Sequence, residues 1–343
     1  MRTQQLREVI RDSGPFVSVY VDASHDTEDA TTRNELRWRA IHTELGELGA
    51  DQATIEAAGH AVLDSPAVGQ AGRAVIAAHG EVLCSADFPV PPAADLVRYS
   101  GLPYLLPLLS WQQPPVPHVI VLADKIGGAL RAVDANGTPV PDTATRGEDR
   151  PVHHVAGGGP AHGSMENRAE ETVRRNAKDV AEAATRLAEQ VDAELPAHIR
   201  RLVTELDVNA AHTDLDAPDV TDGVTRLLAQ QQAERDEAAL ERLHAGGAHG
   251  TACEGLDRVT EALRAGAVET VLVTDASLAD RTVWRGGDPS QVATDAAQLQ
   301  DEQATERRAD EAVPAAALAT SADILVLTGA ATVADGVAAL LRY

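Results

Sequence analysis

The sequence predicts an α/β protein of three domains, spanning residues 1–113, 114–246 and 247–343. Short β-branched runs (Phe16 to Val21, His118 to Ala123, Glu269 to Val273) alternate with longer segments whose apolar residues recur at three- and four-residue spacing. The proline-rich Gln112-Gln113-Pro114-Pro115-Val116-Pro117 cannot continue a helix or a central strand, and Gly246-Gly247 marks a second boundary. At 343 residues the chain is also too long for one ordinary core.

In the first domain, Leu6, Val9 and Ile10 form one face of a short helix stopped by Ser13-Gly14-Pro15. Phe16 to Val21 is almost continuously apolar and reads as a buried strand. After a polar loop over 22–32, Arg33 to Leu48 places Leu36, Ile41, Leu45 and Leu48 on one helical face. Ala53 to Leu63 is a second helix, and Ala74 to Ser85 is a hairpin turning at His79-Gly80.

In the second domain, His118 to Ala123 and Ala129 to Val133 are strands joined by a turn at Gly127-Gly128, the second ending at Asn136-Gly137. Pro151 to Gly163 (PVHHVAGGGPAHG) is rich in proline, glycine and histidine. A long helix over 164–191 carries Val173, Ala177, Val180, Ala184 and Leu187 on one face. His198 to Leu206 is read as a strand and Val220 to Leu243 as a very polar helix. The third domain is read as helix 256–263 ending at Gly266, strand 269–273, helix 313–318, strand 324–327 and a closing short helix. Helices alternating with buried strands specify a small α/β/α sandwich.

The net charge of -24 repels phosphate and lowers non-specific nucleic-acid affinity. Cys84 and Cys253 are isolated, which excludes a disulfide framework and a CxxC metal knuckle. No apolar run approaches the roughly 20 residues that span a bilayer, and the N-terminus leads into an amphipathic helix rather than a secretory segment. The composition is that of a cytosolic globular protein without cofactor or membrane partner.

Gly157-Gly158-Gly159-Pro160 is the most unusual local feature. Consecutive glycines allow positive φ and close backbone approach to a ligand, although such a loop taken alone is more often a connector. A phosphate-loop reading fails, since neither GxxxxGK[ST] nor GxGxxG is present. His153, His154 and His162 flank the loop, but no carboxylate or cysteine sits at ligand spacing, so a metal site is not expected. Histidines there can instead contact RNA. The following helix carries Arg168, Arg174, Arg175 and Lys178 against Glu166, Glu170 and Glu171, which makes it the part of this acidic chain least repelled by phosphate. A solvated helix face accounts for it equally well. No catalytic constellation emerges, since Ser164 lacks a GxSxG context and neither cysteine has an assigned histidine partner.

The order of these pieces resembles a known family. The strand pair HVIVLADKIGGALRAVD, the glycine loop and the helix beginning MENRAEETVRRNAKDVAE resemble the central domain of class 1 release factors and Pelota-like proteins. CEGLDRVTEALRAGAVETVLVTD resembles the start of their third domain. RTQQLREVIRDSGPFVSVYVDASHDTEDATTRNELRWR is similar to an actinobacterial branch of the bacterial members, which includes mycobacterial homologues, within the broader group of the ribosome-hibernation factor Balon.

The resemblance implies a release-factor central fold in the second domain and, in the third, the α/β/α fold of kink-turn-binding ribosomal proteins. It implies binding to the 70S ribosome through rRNA, with no DNA partner. The loop Gly157 to Pro160, with His162, would point toward the peptidyl-transferase centre, and the first domain would face the decoding region. His153, His154, Arg168, Arg174, Arg175 and Lys178 would contact RNA. Accompaniment by elongation factor Tu with GDP is also implied. Release factors end the loop in Gly-Gly-Gln, whereas here the motif falls on Gly158, Gly159 and Pro160, or ends at Gly159 if the register shifts. Neither residue offers the amide's hydrogen-bonding groups. The expected function is occupation of the A site of idle ribosomes without chemistry. The alternatives are a tRNA-directed hydrolase or nuclease using His154 or His162, and an acidic interaction module that never touches RNA.

Overall fold

The computed structural model describes residues 3–64, 70–88, 90–111, 117–134, 139–147, 162–191, 204, 206, 214–299, 301–328 and 332–343. It is a mixed α/β structure that divides into two compact units, Met1–Gln113 with Arg235–Tyr343, and Pro114–Glu234.

The first unit begins with α1 (Thr3–Val9) and β1 (Phe16–Asp22), followed by α2 (Ala30–Glu47), α3 (Gln52–Leu63), β2 (Gly72–Ala78), β3 (Glu81–Phe88), β4 (Leu96–Ser100) and α4 (Leu106–Trp111). The strands form an antiparallel sheet ordered β3-β2-β1-β4. Alternate residues of β1 point to opposite faces. Val17, Val19 and Val21 pack on α2 and α3 through Trp38, Ile41, Leu45, Ile55 and Ala58. Phe16 and Tyr20 pack into a second core shared with α1, α4 and the C-terminal segment. Burial on both faces is why the run reads as continuously apolar. The hairpin turns at His79 (φ 53) and Gly80 (φ 77), the paired left-handed conformation of a type I′ turn.

Two expectations change here. The helix α2 starts at Ala30 and buries Ala30, Asn34, Trp38, Ile41 and Leu45, while Leu36 is 56% exposed and Leu48 lies past the helix end. Trp38, with the larger apolar surface, takes the inward position. β4 was not anticipated, because its residues are intermediate in burial and carry no alternation.

The second unit contains β5 (His118–Ala123), β6 (Gly127–Val133) and β7 (Pro139–Arg146) in an antiparallel meander, covered by α5 (His162–Val191). β7 was not expected. The face of α5 that meets the sheet runs through Thr172, Asn176, Val180, Ala183 and Leu187, whereas Ala177 is exposed. The expected strand 198–206 and the turn at 136–137 lie outside the described residues, apart from Thr204 and Leu206. α6 (Pro218–His249) runs past the division between the units, and Gly246 and Gly247 lie inside it rather than in a linker.

The C-terminal segment of the first unit follows with β8 (Ala252–Glu254), α7 (Leu256–Arg264), β9 (Val268–Val273), α8 (Asp275–Leu278), β10 (Thr282–Arg285), β11 (Val292–Ala293), β12 (Thr305–Arg308), α9 (Ala309–Ala319), β13 (Asp323–Val326) and β14 (Val337–Leu341). One sheet is ordered β13-β9-β14-β8, with β13 parallel to β9 and β14 antiparallel to both its neighbours. Leu272, Ala338 and Leu340 face Ala239 and Leu243 of α6, while Val271, Val273, Val337 and Ala339 face the core that holds α7 and α9. Helices on both faces make the expected sandwich. The expected closing helix is instead β14, an interior strand whose short apolar run, VAALL, fits either state by composition. β10, β11 and β12 form a separate small antiparallel sheet, ordered β11-β10-β12.

Candidate functional site

The glycine loop Gly157 to Pro160 and His153 and His154 lie outside the described residues, and His162 opens α5. What is described is the scaffold that leads out of that loop. α5 has 30 residues and is about 45 Å long at 1.5 Å per residue.

Glycines let α5 lie close on its sheet. A Cβ at Gly128 would touch both methyls of Val180, and one at Gly147 would overlap the Asn176 carboxamide. A Cβ at Gly127 would fall well inside van der Waals contact with the Thr145 carbonyl oxygen. Gly127 and Gly128 therefore begin β6 rather than forming the turn, which falls on 124–126. There the Asp124 carboxylate accepts from Ile126 N (2.7 Å) and Gly127 N (2.9 Å), and Gly147 N donates to Ile126 O (2.7 Å). Asn176, 2% exposed, donates Nδ2 to the Lys125 carbonyl at 2.9 Å, fixing the helix to the turn. Across the sheet, Arg131 donates to Asp142 and Asp216 at 2.9 and 2.7 Å. Hydrogen bonding by Asp142, then by Asp216, holds the guanidinium more firmly protonated than usual.

Arg168, Arg174, Arg175 and Lys178 are all exposed. Helical geometry puts Arg168 and Arg175, seven residues apart, along one flank, and Arg174 and Lys178, four apart, on the side away from the sheet. Lys178 Nζ meets Glu182 Oε1 at 3.6 Å with both side chains largely exposed, an ion pair worth about 0.3–0.5 kcal/mol. Glu170 and Glu171 are interleaved, so the surface offers separate cationic contacts rather than a strong positive field. Among the described residues, no group of His, Cys, Asp and Glu could hold a metal. No helix there is long and apolar enough to cross a membrane.

Sequence reading missed a polar cluster in the first unit. Arg98 of β4 reaches Asp310 at 2.9 Å and Glu311 at 3.4 Å, and its guanidinium lies 3.3 Å from the centroid of the Tyr104 ring. Ser100 Oγ donates to Glu311 Oε2 at 2.5 Å, and Arg308 grips Asp310 through Nε and Nη2. Both acids are fully buried in the first turn of α9, where the helix dipole favours negative charge. Burial nevertheless pushes the Glu311 carboxyl above its ordinary range. Sequence carried no sign of this cluster, since its two halves are more than 200 residues apart in the chain.

Comparison with known proteins bears on the whole chain. A family model described as bacterial archaeo-eukaryotic release factor family 2 matches residues 117–195, from β5 to beyond α5. Two Mycobacterium tuberculosis proteins, Rv2629 (strain ATCC 25618 / H37Rv) and MT2704 (strain CDC 1551 / Oshkosh), are 33% identical over 367 aligned residues, covering 100% of this chain and 97% of each relative. Among solved structures, the archaeal translation termination factor aRF1 aligns over 99% of this chain and 96% of its own, at 15% identity and a TM-score of 0.23. Archaeoglobus fulgidus Pelota aligns over 99% of this chain and 91% of its own, at 11% identity and a TM-score of 0.35.

Proposed function

This chain belongs to the bacterial archaeo-eukaryotic release factor family, and on that premise we propose that it binds the 70S ribosome and occupies the A site without releasing peptide, as a hibernation factor. The observation that carries this reading is the ending of the glycine loop. Where release factors place glutamine, this chain has Pro160, or Gly159 in the shifted register. Neither can hydrogen-bond the attacking water as a carboxamide does. The loop retains the glycines that allow entry into a narrow site and lacks the group that performs hydrolysis there.

The exposed Arg168, Arg174, Arg175 and Lys178 supply phosphate contacts on the helix that follows that loop in the chain. A net charge of -24 opposes long-range approach to RNA, so binding relies on shape and on escort by elongation factor Tu with GDP. Co-sedimentation with 70S ribosomes from stationary-phase cells, with a parallel assay of peptidyl-tRNA hydrolysis, tests the proposal. The protein is expected in the ribosomal fraction with no release of peptide and no cut tRNA. Absence from that fraction at low salt would sink the ribosome-binding reading. Turnover abolished by His162→Ala would replace it with an enzyme. Alanine at Arg168 and Arg175 is expected to flatten the salt dependence of binding by about one unit of log-log slope per lost phosphate contact.

A further inference from the structure

Acidic residues outnumber basic ones 53 to 29 in this chain, yet two arginines lie side by side at the edge of a core with no ion pair among the described residues. Arg285 ends β10 and Arg307 lies in β12. In the β10–β12 register Val283 pairs with Arg307 and Arg285 with Thr305. Alternation therefore puts Val283, Arg285 and Arg307 on one face of the small sheet, with the two arginines as diagonal neighbours. That face looks inward, because Val283 is 1% exposed and belongs to the core of the unit. The Arg307 guanidinium also sits against Gly101, where a Cβ would come within 3.0 Å of three of its atoms.

Both Nε atoms are buried and make no hydrogen bond. Arg307 Nη1 donates to the Glu306 carbonyl at 3.2 Å, and no ion pair of either arginine occurs among the described residues. The nearby acids accept hydrogen bonds from other donors, although the Asp288 charge also acts on Arg285. Asp288 accepts from Ser290 N and Oγ, Asp301 from Gly287 N and Gln303 N, and Glu306 from Thr282 Oγ1. Asp310 and Glu311 are held by Arg98, Arg308 and Ser100. Burial, then the neighbouring charge of Arg307, holds Arg285 below its ordinary range. Two like charges kept together at the edge of a core, with unused donors, are stabilised by an anion between them.

We propose that Arg285 and Arg307 form a phosphate-binding site, taking either free phosphate or a phosphate of an RNA backbone. Paired guanidiniums present forked donors that match the non-bridging oxygens of a tetrahedral phosphate, whether free or in a diester, better than a single carboxylate. The site lies in the first unit and does not depend on the A-site reading.

The test compares melting of the full chain in inorganic phosphate and in chloride at equal ionic strength, and binding of a fluorescent single-stranded RNA. Phosphate well above its Kd is expected to raise Tm by about 3 °C. Arg285→Gln with Arg307→Gln is expected to abolish that rise. A phosphate-specific rise without RNA binding assigns the site to free phosphate. RNA binding weakened about tenfold or more by the double substitution, with a shallower salt slope, assigns it to RNA. Equal rises in wild type and variant, or no rise and no RNA binding in wild type, would overturn the proposal. If the glutamine variant does not fold, the wild-type comparison still decides, and Arg285→Lys with Arg307→Lys, which keeps the charges but loses the forks, is expected to weaken the response.

Discussion

Replacing Arg98 with alanine tests the buried charge cluster of the first unit. The change removes contacts of 2.9 and 3.4 Å to two fully buried carboxylates and the guanidinium above the Tyr104 ring. Asp310 keeps Arg308, but Glu311 is left with Ser100 alone. Breaking a buried pair by removing one partner costs about 3–5 kcal/mol. Arg98 retains 20% exposure, which admits water and favours the lower end. In a unit of about 220 residues, about 3 kcal/mol lowers Tm by about 6–12 °C.

The loss is expected to depend on pH in a definite sense. Burial already lifts the Glu311 carboxyl above its unfolded value, and Arg98 opposes that lift. A carboxyl that holds its proton more tightly when folded makes stability fall as pH rises from the ordinary glutamate value through the folded one. Without Arg98 that window widens upward. The deficit of Arg98→Ala should therefore be large near about pH 7.5 and shrink as pH falls toward the ordinary glutamate range, where Glu311 takes up its proton more readily than an exposed carboxyl. A remainder of about 1 kcal/mol from the lost cation–π contact should persist throughout. Adding Glu311→Gln to the alanine variant should restore most of the neutral-pH stability. Melting followed by circular dichroism measures all of this. A deficit that does not change with pH, or a double variant no better than the single one, would refute the assignment.

Three further outcomes follow from packing and burial. Gly127→Ala should cost more than about 2 kcal/mol, because its Cβ would overlap the Thr145 carbonyl. Gly247→Ala, on an open helical position, should instead stabilise by about 0.5–1 kcal/mol, and urea unfolding of the two variants separates them. Cys84, pushed up to about 12 by burial, should stay unreactive to a thiol-exchange reagent in native protein near about pH 8 and react after denaturation. Rapid labelling of native Cys84 would contradict that burial.

The elements legible in the sequence were those whose pattern is local. Phe16 to Val21, Val268 to Val273 and the His79-Gly80 hairpin announce themselves through β-branched runs and a positive-φ turn. The glycine loop and the cations of α5 were also readable, because residue type and order along the chain suffice to find them. What the sequence could not decide were choices made by neighbours distant in the chain. Leu36 and Trp38 both read as apolar in a helical pattern, and only the sheet beneath selects the larger Trp38. VAALL becomes a strand because β8 and β9 flank it with unpaired backbone groups. Arg98 and Glu311, or Arg285 and Arg307, mean nothing until strands and helices bring their charges within a few ångströms. Hydrophobic periodicity is a short-range property and survives in the sequence, whereas electrostatic pairing depends on distances that only the folded chain sets.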